Sequence, residues 1–299
     1  MDNETILFDR IEVIKTTNDK WDLLNNAYLS FSGGKDSTIL HHLLDEALPN
    51  NRIPRVYFDT GIEYKAIRDF VMGLAEKDDR FEIVKPTLPI KATLEKYGYP
   101  FKSKEHSQKL RLWRNGSRNC KFVETYLHKN DRYACPQILR YQFEDDSPFK
   151  VNVSPLCCQK MKKEPAHKYE RKSGRKIAIT GMRKQEGGER TTLGCILTDK
   201  SGNLKRFHPL APVTEDFIDW YRERERIELA VLYEAPYFFK RTGCKFCPYS
   251  LDLERQLEVA YRLMPEEALQ GEMIWKPIFD EYRRIGFRLK KTMQIKLDL

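Results

Sequence analysis

An α/β fold, with a mostly parallel sheet and helices on both faces, is what this sequence predicts. Three observations carry that expectation. Short apolar runs at 27–31, 54–58, 81–85 and 175–180 have the length of strands. Stretches with helical apolar spacing alternate with them, as crossovers between parallel strands require. Three of the runs end in polar tips, at 32–37, 59–63 and 181–190, where an open parallel sheet binds its ligands.

Taken in order, AYLSF at 27–31 reads as a buried strand and TILHHLLDEAL at 38–48 as the helix after it. PRVYF at 54–58 is a second strand that stops at Asp59-Thr60-Gly61. A helix over 62–77 follows, because Ile62, Ala66, Ile67, Phe70, Val71 and Leu74 make one apolar stripe. FEIVK at 81–85 is a strand ended by Pro86, with a short helix at 88–97. Residues 102–150 are polar, basic and aromatic without a sustained period, and read as helix plus long loops forming a lid or insertion. RKIAIT at 175–180 is a strand ending at Gly181, and TEDFIDWYRERERIE at 214–228 is a helix with Thr214 as its N-cap.

Composition narrows the partners. With 53 Lys and Arg against 44 Asp and Glu, a net charge of +9 suggests a nucleotide, a nucleic acid or both; the plain alternative is a well-solvated basic surface. The opening MDNETILFDR carries acids and no apolar signal core, and no apolar run reaches the roughly 18 residues of a membrane span. The expectation is a soluble, cytoplasmic protein with no membrane partner. There the seven cysteines stay reduced, and clustered ones favour metal or redox chemistry over disulfides.

Between the first strand and its helix stands Ser32-Gly33-Gly34-Lys35-Asp36-Ser37. Glycines let backbone N–H groups approach an anion, the helix N-terminus adds partial positive charge, and Lys35 adds a full one. Ser32 and Ser37 offer hydroxyls. The Walker A spacing is absent, so this is not the usual kinase-type loop. The alternative is a glycine turn with a solvated lysine.

SFSGGKDS resembles the pyrophosphate-gripping loop of the adenine nucleotide α-hydrolase, or ATP pyrophosphatase (PP-loop), superfamily. The resemblance implies a Rossmann-like (HUP-type) sheet that binds ATP and acts at its α-phosphate. Asp59-Thr60-Gly61-Ile62-Glu63-Tyr64 is similar to the DTG-x-E-aromatic motif of the phosphoadenosine phosphosulfate (PAPS) reductase family, which lies close to the adenosine. The segment GMRKQEGGER at 181–190 is similar to that family's GLRR-x-Q-S-x-x-R, whose arginines face phosphate or sulfate. Arg183 and Arg190 keep the pattern, while Glu186 and Gly187 replace its Gln and Ser.

The tandem Cys157-Cys158 with the distant Cys244-Lys245-Phe246-Cys247 resembles the four-cysteine [4Fe–4S] site of the family's iron–sulfur branch. Four thiolates suit a cubane cluster or, alternatively, tetrahedral zinc. Lys160, Lys162 and Lys163 put positive charge beside that site and near the nucleotide, or form a solvated run. His208-Pro209-Leu210 and Thr214-Glu215-Asp216 resemble a further family segment that precedes a helix. Cys120, Cys135 and Cys195 lack ligand spacing and read as buried thiols.

Two departures separate the chain from a sulfonucleotide reductase. It lacks the C-terminal E-C-G-(L/I)-H motif that carries the reductase nucleophile, its last cysteine being Cys247. It also keeps an intact SGGKDS, useful only where there is pyrophosphate to hold. The reading is therefore an ATP-dependent, adenylylating enzyme related to sulfurtransferases. It comprises a PP-loop domain over 1–212, with an insertion at about 102–150, and a helical C-terminal region over 213–299 completing the iron–sulfur site.

Lys35, Asp36 and Arg183 are its expected catalytic residues. Ser32, Gly33, Gly34, Ser37, Asp59, Thr60, Gly61, Gly181 and Arg190 join them in holding ATP, with Asp36 shaping the loop or touching Mg²⁺. Cys157, Cys158, Cys244 and Cys247 hold the cluster. A tRNA or DNA acceptor, a sulfur-donor protein and a homodimer are the partners this reading leaves open. The basic-aromatic stretch 109–121 suits a polyanion, or else is a helix with Leu110, Leu112 and Trp113 in the core. The alternatives are a reductase with a relocated nucleophilic cysteine and a non-catalytic nucleotide- or nucleic-acid-binding accessory protein.

Overall fold

A computed structural model describes residues 2–117, 120–128, 134–186 and 190–290. Its first elements are α1 (Asn3–Trp21), α2 (Leu23–Asn26), β1 (Ala27–Phe31), α3 (Lys35–Ala47), β2 (Arg55–Phe58), α4 (Lys65–Ala75) and β3 (Phe81–Val84). Then come α5 (Ile90–Tyr97), α6 (Lys104–Arg114), α7 (Lys121–His128), α8 (Leu156–Cys158), α9 (Glu164–Ser173) and β4 (Ile177–Ile179). The last are β5 (Ile196–Thr198), β6 (Leu204–Phe207), α10 (Glu215–Arg224), α11 (Leu253–Leu263) and α12 (Pro265–Ile285).

The chain divides into two compact units that interleave along the sequence. Residues 1–59, 63–85 and 165–242 form the first; 60–62, 86–164 and 243–299 form the second. The single boundary drawn near 212 from the sequence is a different division: α10 and the residues up to Thr242 go with the sheet, and 86–164 goes with the C-terminal helices.

The first unit is built on a six-stranded sheet in the order β3-β2-β1-β4-β6-β5. All neighbours are parallel except β5, which runs antiparallel to β6. The central strands are apolar on both faces, as a sheet covered on both sides requires; Leu29, Val56 and Ile179 have no exposed surface. From β1 the chain steps outward to β2 and β3, then returns to β4 on the other side of β1. Strand order therefore reverses between β1 and β4, and the tips of these two strands flank the crevice where such sheets bind ligands.

Helix α1 had no clear signal in the sequence. Leu7 and Ile14 are buried in the core with α3, whereas Phe8 beside them is mostly exposed, so its apolar residues do not share one stripe. Its start is fixed locally: the Thr5 amide donates to Asp2 Oδ1 at 2.8 Å.

The second unit is helical with an aromatic core. Phe101 packs 4.8 Å from Tyr282 and 5.1 Å from Phe149, ring centre to ring centre. The stretch 109–121, apart from 118–119 outside the described residues, meets the core option only in part: Leu112 and Trp113 are half-buried. Leu110 is fully buried on α6, and Lys109 is buried too, with its ammonium 2.5 Å from Glu105 and 4.3 Å from the Tyr126 ring. Arg114 donates to the carbonyls of Phe149 and Val151.

Buried histidines give the fold an acid limit. His106 accepts from the Tyr126 hydroxyl and donates to Gln142, and burial pulls its pKa down to about 3. His41, which accepts from Arg55 Nε at 3.1 Å, is lowered to about 3 by burial and by that guanidinium. His208 is lowered to about 4, mainly by burial and then by Arg206. In the unfolded chain these rings take up protons near pH 6.5, about three units before they do so in the fold. Stability is thus complete above about pH 6.5 and falls as the pH drops toward 4, by about 1.4 kcal/mol per pH unit for each ring. Urea midpoints at about pH 7 and about pH 5 check this; equal midpoints contradict it.

Candidate nucleotide pocket and four-cysteine site

The loop leaving β1 is shaped by its glycines and braced by its hydroxyls. Gly33 has φ +71°, and a Cβ there would come within 2.8 Å of Ile67 and Val71, so only glycine fits. Ser37 Oγ accepts from the Ser32 amide at 3.2 Å and donates to the Gly34 carbonyl at 2.8 Å. It also lies 3.0 Å from Ser32 Oγ. These hydroxyls, expected to face a ligand, hold the loop against itself. Gly34 caps α3 in extended conformation, so Lys35 begins the helix.

The tip of β4 meets this helix backbone to backbone. A Cβ on Gly181 would lie 2.8 Å from both the carbonyl carbon and the oxygen of Asp36, and 3.1 Å from the Ser37 nitrogen. Helix backbone has nowhere to move. We expect Gly181→Ala to destabilise the chain by about 1–3 kcal/mol and to weaken pyrophosphate binding. Thermal melts and calorimetry check this; a wild-type melt with wild-type affinity contradicts it.

Around the loop the charges converge. Lys35 and Arg183 both pair with Glu215, the first residue of α10, with Arg183 Nη2 at 2.5 Å from Oε2. Arg183 Nε lies 2.9 Å from Asp36 Oδ1, an ion pair without hydrogen-bond alignment. Burial pulls Lys35 below the ordinary lysine pKa, opposed by Asp219 and Asp36. Thr214 holds the N-cap position of α10 without a side-chain cap; Gln185 Oε1 accepts from the Glu215 amide at 2.7 Å instead.

A cavity of about 930 Å³ opens here. It brings together Ser32, Gly34, Lys35, Asp36, Ser37, Gly181, Arg183 and Arg190. Gly33 stays behind the loop against α4. Asp59 ends β2, buried, with its amide on the Val84 carbonyl at 3.0 Å and Arg68 Nε 3.4 Å from its carboxylate; it does not line the cavity. Thr60 and Gly61 belong to the second unit. Residues 187–189 of the glycine-rich segment lie outside the described residues.

Sequence reasoning missed part of the wall. Tyr233, whose hydroxyl is 2.6 Å from Thr242 Oγ1, stands against Gly34, and Lys240 and Arg241 also line the cavity. Burial, and then the like charge of Arg241, pulls Arg190 below its ordinary pKa. Lys240-Arg241 abuts the C-x-x-C segment, a signal that was available; Tyr233 carried none.

In the second unit, Cys157 and Cys158 form α8, with their sulfurs 4.0 Å apart, and run into a π-helical turn, Gln159–Lys163. The C-x-x-C turn is clamped on three sides. Its Cys247 amide bonds the Cys244 carbonyl at 3.2 Å, Lys245 pairs with Glu267 at 2.6 Å, and Trp275 donates to the Lys245 carbonyl at 2.9 Å. The Phe246 ring lies on the Gly271 backbone, leaving no room for a side chain.

The Cys157 thiol is raised by its bond with Cys158, by burial and by the other thiols, including Cys244 and Cys247. Cys158 is lowered by the same bond and by Lys104, Lys162 and Lys163. Four thiols within mutual electrostatic reach are a fitting donor set for iron–sulfur or zinc. Among the described residues, no three Cys, His, Asp or Glu side chains close into a coordination shell, so the fit is one of donor chemistry. Cys135 is buried, and its thiol pKa is pushed up to about 11 by burial.

A model of the phosphoadenosine phosphosulfate reductase domain matches residues 26–131 and 123–250, well over half of the chain. The chain belongs to the phosphoadenosine phosphosulfate reductase family. One curated relative of this family member, an uncharacterized protein of Methanocaldococcus jannaschii, is 30% identical over 139 residues. That match covers 42% of the chain and about a third (32%) of the relative's length.

Solved structures similar to this reductase-family chain include the phosphoadenylyl-sulfate reductase of Candida auris in a phosphate complex. It is 15% identical, with a TM-score of 0.44, and the match covers 73% of this chain and 81% of that one. The Candida glabrata FMN adenylyltransferase is 16% identical at 0.47, over 82% and 63%. The U34-tRNA thiolase NcsA of Methanococcus maripaludis with its [4Fe–4S] cluster is 15% identical at 0.41, over 100% and 83%. At these scores no assignment rests on the likeness. Among the described residues, no helix is long and apolar enough to cross a membrane.

Proposed function

We propose that this reductase-family chain is a nucleotide-utilising enzyme that cleaves ATP at the α-phosphate, releasing pyrophosphate and transferring AMP to an acceptor for sulfur insertion. The observation that carries the reading is the convergence of Lys35 and Arg183, from adjacent strand tips, on one carboxylate over the first turn of α3. Two cations above a helix N-terminus make a site for a polyphosphate.

In the proposed step an acceptor oxygen bonds to the α-phosphorus. The bond from that phosphorus to the bridging oxygen breaks, and its electron pair leaves on pyrophosphate. The Gly34 amide, Lys35 and Arg183 would take up the charge that develops there, and Arg190 would hold a further anionic oxygen. Mg²⁺ enters as part of the substrate MgATP, with Asp36 as the proposed protein contact. Asp59, Thr60 and Gly61 remain proposed contacts of the adenosine side. A sulfur nucleophile from a donor then displaces AMP from the acceptor. Cys157, Cys158, Cys244 and Cys247 would hold the cluster or zinc, which would supply a fixed anchor for two chain segments and a local electrostatic field.

The reductase alternative needs a thiolate elsewhere, and a thiol with a pKa near 11, as at Cys135, is a poor one. Product analysis separates the readings. Anaerobic protein with ATP should yield AMP and pyrophosphate, stimulated by the acceptor. Sulfite from adenylylsulfate with ATP left intact would replace this proposal with the reductase.

Glu215 holds the two cations in the absence of a nucleotide, so it competes with an incoming anion. Glu215→Gln should tighten Mg²⁺-free pyrophosphate binding by about tenfold, equivalent to about 1.4 kcal/mol. Calorimetry reads it, and weaker binding would mean that Glu215 helps the anion rather than competing with it.

A further inference from the structure

The charge of the chain is divided unevenly. The first unit carries 27 Lys and Arg against 27 Asp and Glu, and the second 26 against 17. The whole excess of +9 therefore belongs to the second unit, and residues 86–164 alone hold 16 cations against 8 anions. A pyrophosphate site in the first unit does not account for it, because that unit is neutral overall.

Part of this excess gathers around one ring. Lys96 Nζ lies 5.4 Å and Lys160 Nζ 4.7 Å from the centre of the half-buried Tyr97 ring. Helix α5, which carries Lys96 and Tyr97, packs on α8 and the π-helical turn. Lys104, Lys162 and Lys163 lie within electrostatic reach of Cys158, which sits on α8, the helix packed against α5. The carboxylates on these elements are few: Glu164 pairs with Lys160 at 2.6 Å and Glu105 with Lys109, which leaves Glu95. Lys96 and Lys104 are exposed and make no ion pair among the described residues.

We propose that this lysine rim around Tyr97 is the docking surface for the backbone of a single-stranded stretch of nucleic acid. The proposal rests on the reading of the chain as an enzyme that modifies an acceptor, and it names that acceptor's class. An aromatic ring flanked by ammonium groups matches an unpaired base between two phosphates. An anionic lipid surface attracts the same cations but takes large apolar side chains with them, and this rim offers lysines and a tyrosine.

The test is fluorescence anisotropy of labelled single-stranded RNA and DNA of mixed sequence, using the full chain, between about 50 and 200 mM salt. Wild type should lose at least about tenfold in affinity across that range. Lys96→Gln/Lys104→Gln should flatten the slope of log affinity against log salt by about 1.4, some 0.7 for each lost phosphate contact. Tyr97→Ala should weaken binding at least about fivefold without changing the slope.

Three results would overturn the proposal: wild type that binds neither oligonucleotide, variants that melt and bind like wild type, or stronger binding to phosphatidylserine vesicles. Calorimetry with inorganic pyrophosphate on the same wild-type protein keeps the two readings apart. Lost pyrophosphate binding sinks the ATP proposal, whereas retained pyrophosphate binding without oligonucleotide binding sinks only this one.

Discussion

Lys35→Met is expected to slow AMP formation from ATP by about 10²–10³-fold while leaving the fold intact. The lysine is largely shielded from water and opens α3, so its charge acts in a medium that screens it poorly. Methionine keeps the length and loses the charge. Pyrophosphate acquires negative charge as it leaves, so the loss should fall mainly on kcat rather than KM. Arg183→Met should cost a similar factor, and the double variant less than the product, because both cations share Glu215. Single-turnover AMP formation measures all three. An unchanged rate in Lys35→Met would remove the pyrophosphate role from the loop.

Cys247→Ser is expected to abolish metal binding and to lower the melting temperature by about 4–8 °C or more. Cys247 keeps a little accessible surface but sits deep, and burial pushes its thiol well above the ordinary range. A bound metal would relieve that cost by holding the thiolate. Serine offers a harder, shorter oxygen in a turn that Lys245, Phe246 and Trp275 already hold still. Elemental analysis of anaerobic wild type distinguishes four irons from one zinc. A wild type without either metal, melting like the serine variant, would make the four cysteines ordinary buried thiols.

Much of the first unit was legible because its signals are local. The run at 27–31 is β1, that at 81–85 is β3 shortened by a residue, and the helix expected at 62–77 is α4, shorter at both ends. Each rests on a short apolar run or on a helical stripe within about a dozen residues. Helix α1 was not legible, since its buried residues do not share a stripe with their apolar neighbours. Strand β5 was not either, since all three of its residues are exposed. The stretch 109–121 left two readings open for a related reason. Lys109 reads as a surface cation, yet Glu105 and two aromatic rings let it be buried.

By itself, the sequence determined the glycine loop between β1 and α3, the two pairs of cysteines and the alternation that makes an α/β sheet. Each depends on backbone freedom, ligand chemistry or periodicity among residues close in the chain. Only the tertiary structure decided that Lys35, Arg183 and Glu215 meet, because strand order in the sheet sets that neighbourhood across 180 residues. It also decided why position 181 is glycine, a matter of the α3 backbone pressing on the tip of β4. The placement of the whole positive excess in one unit was likewise hidden. The two units interleave along the chain, so no window of sequence contains either of them.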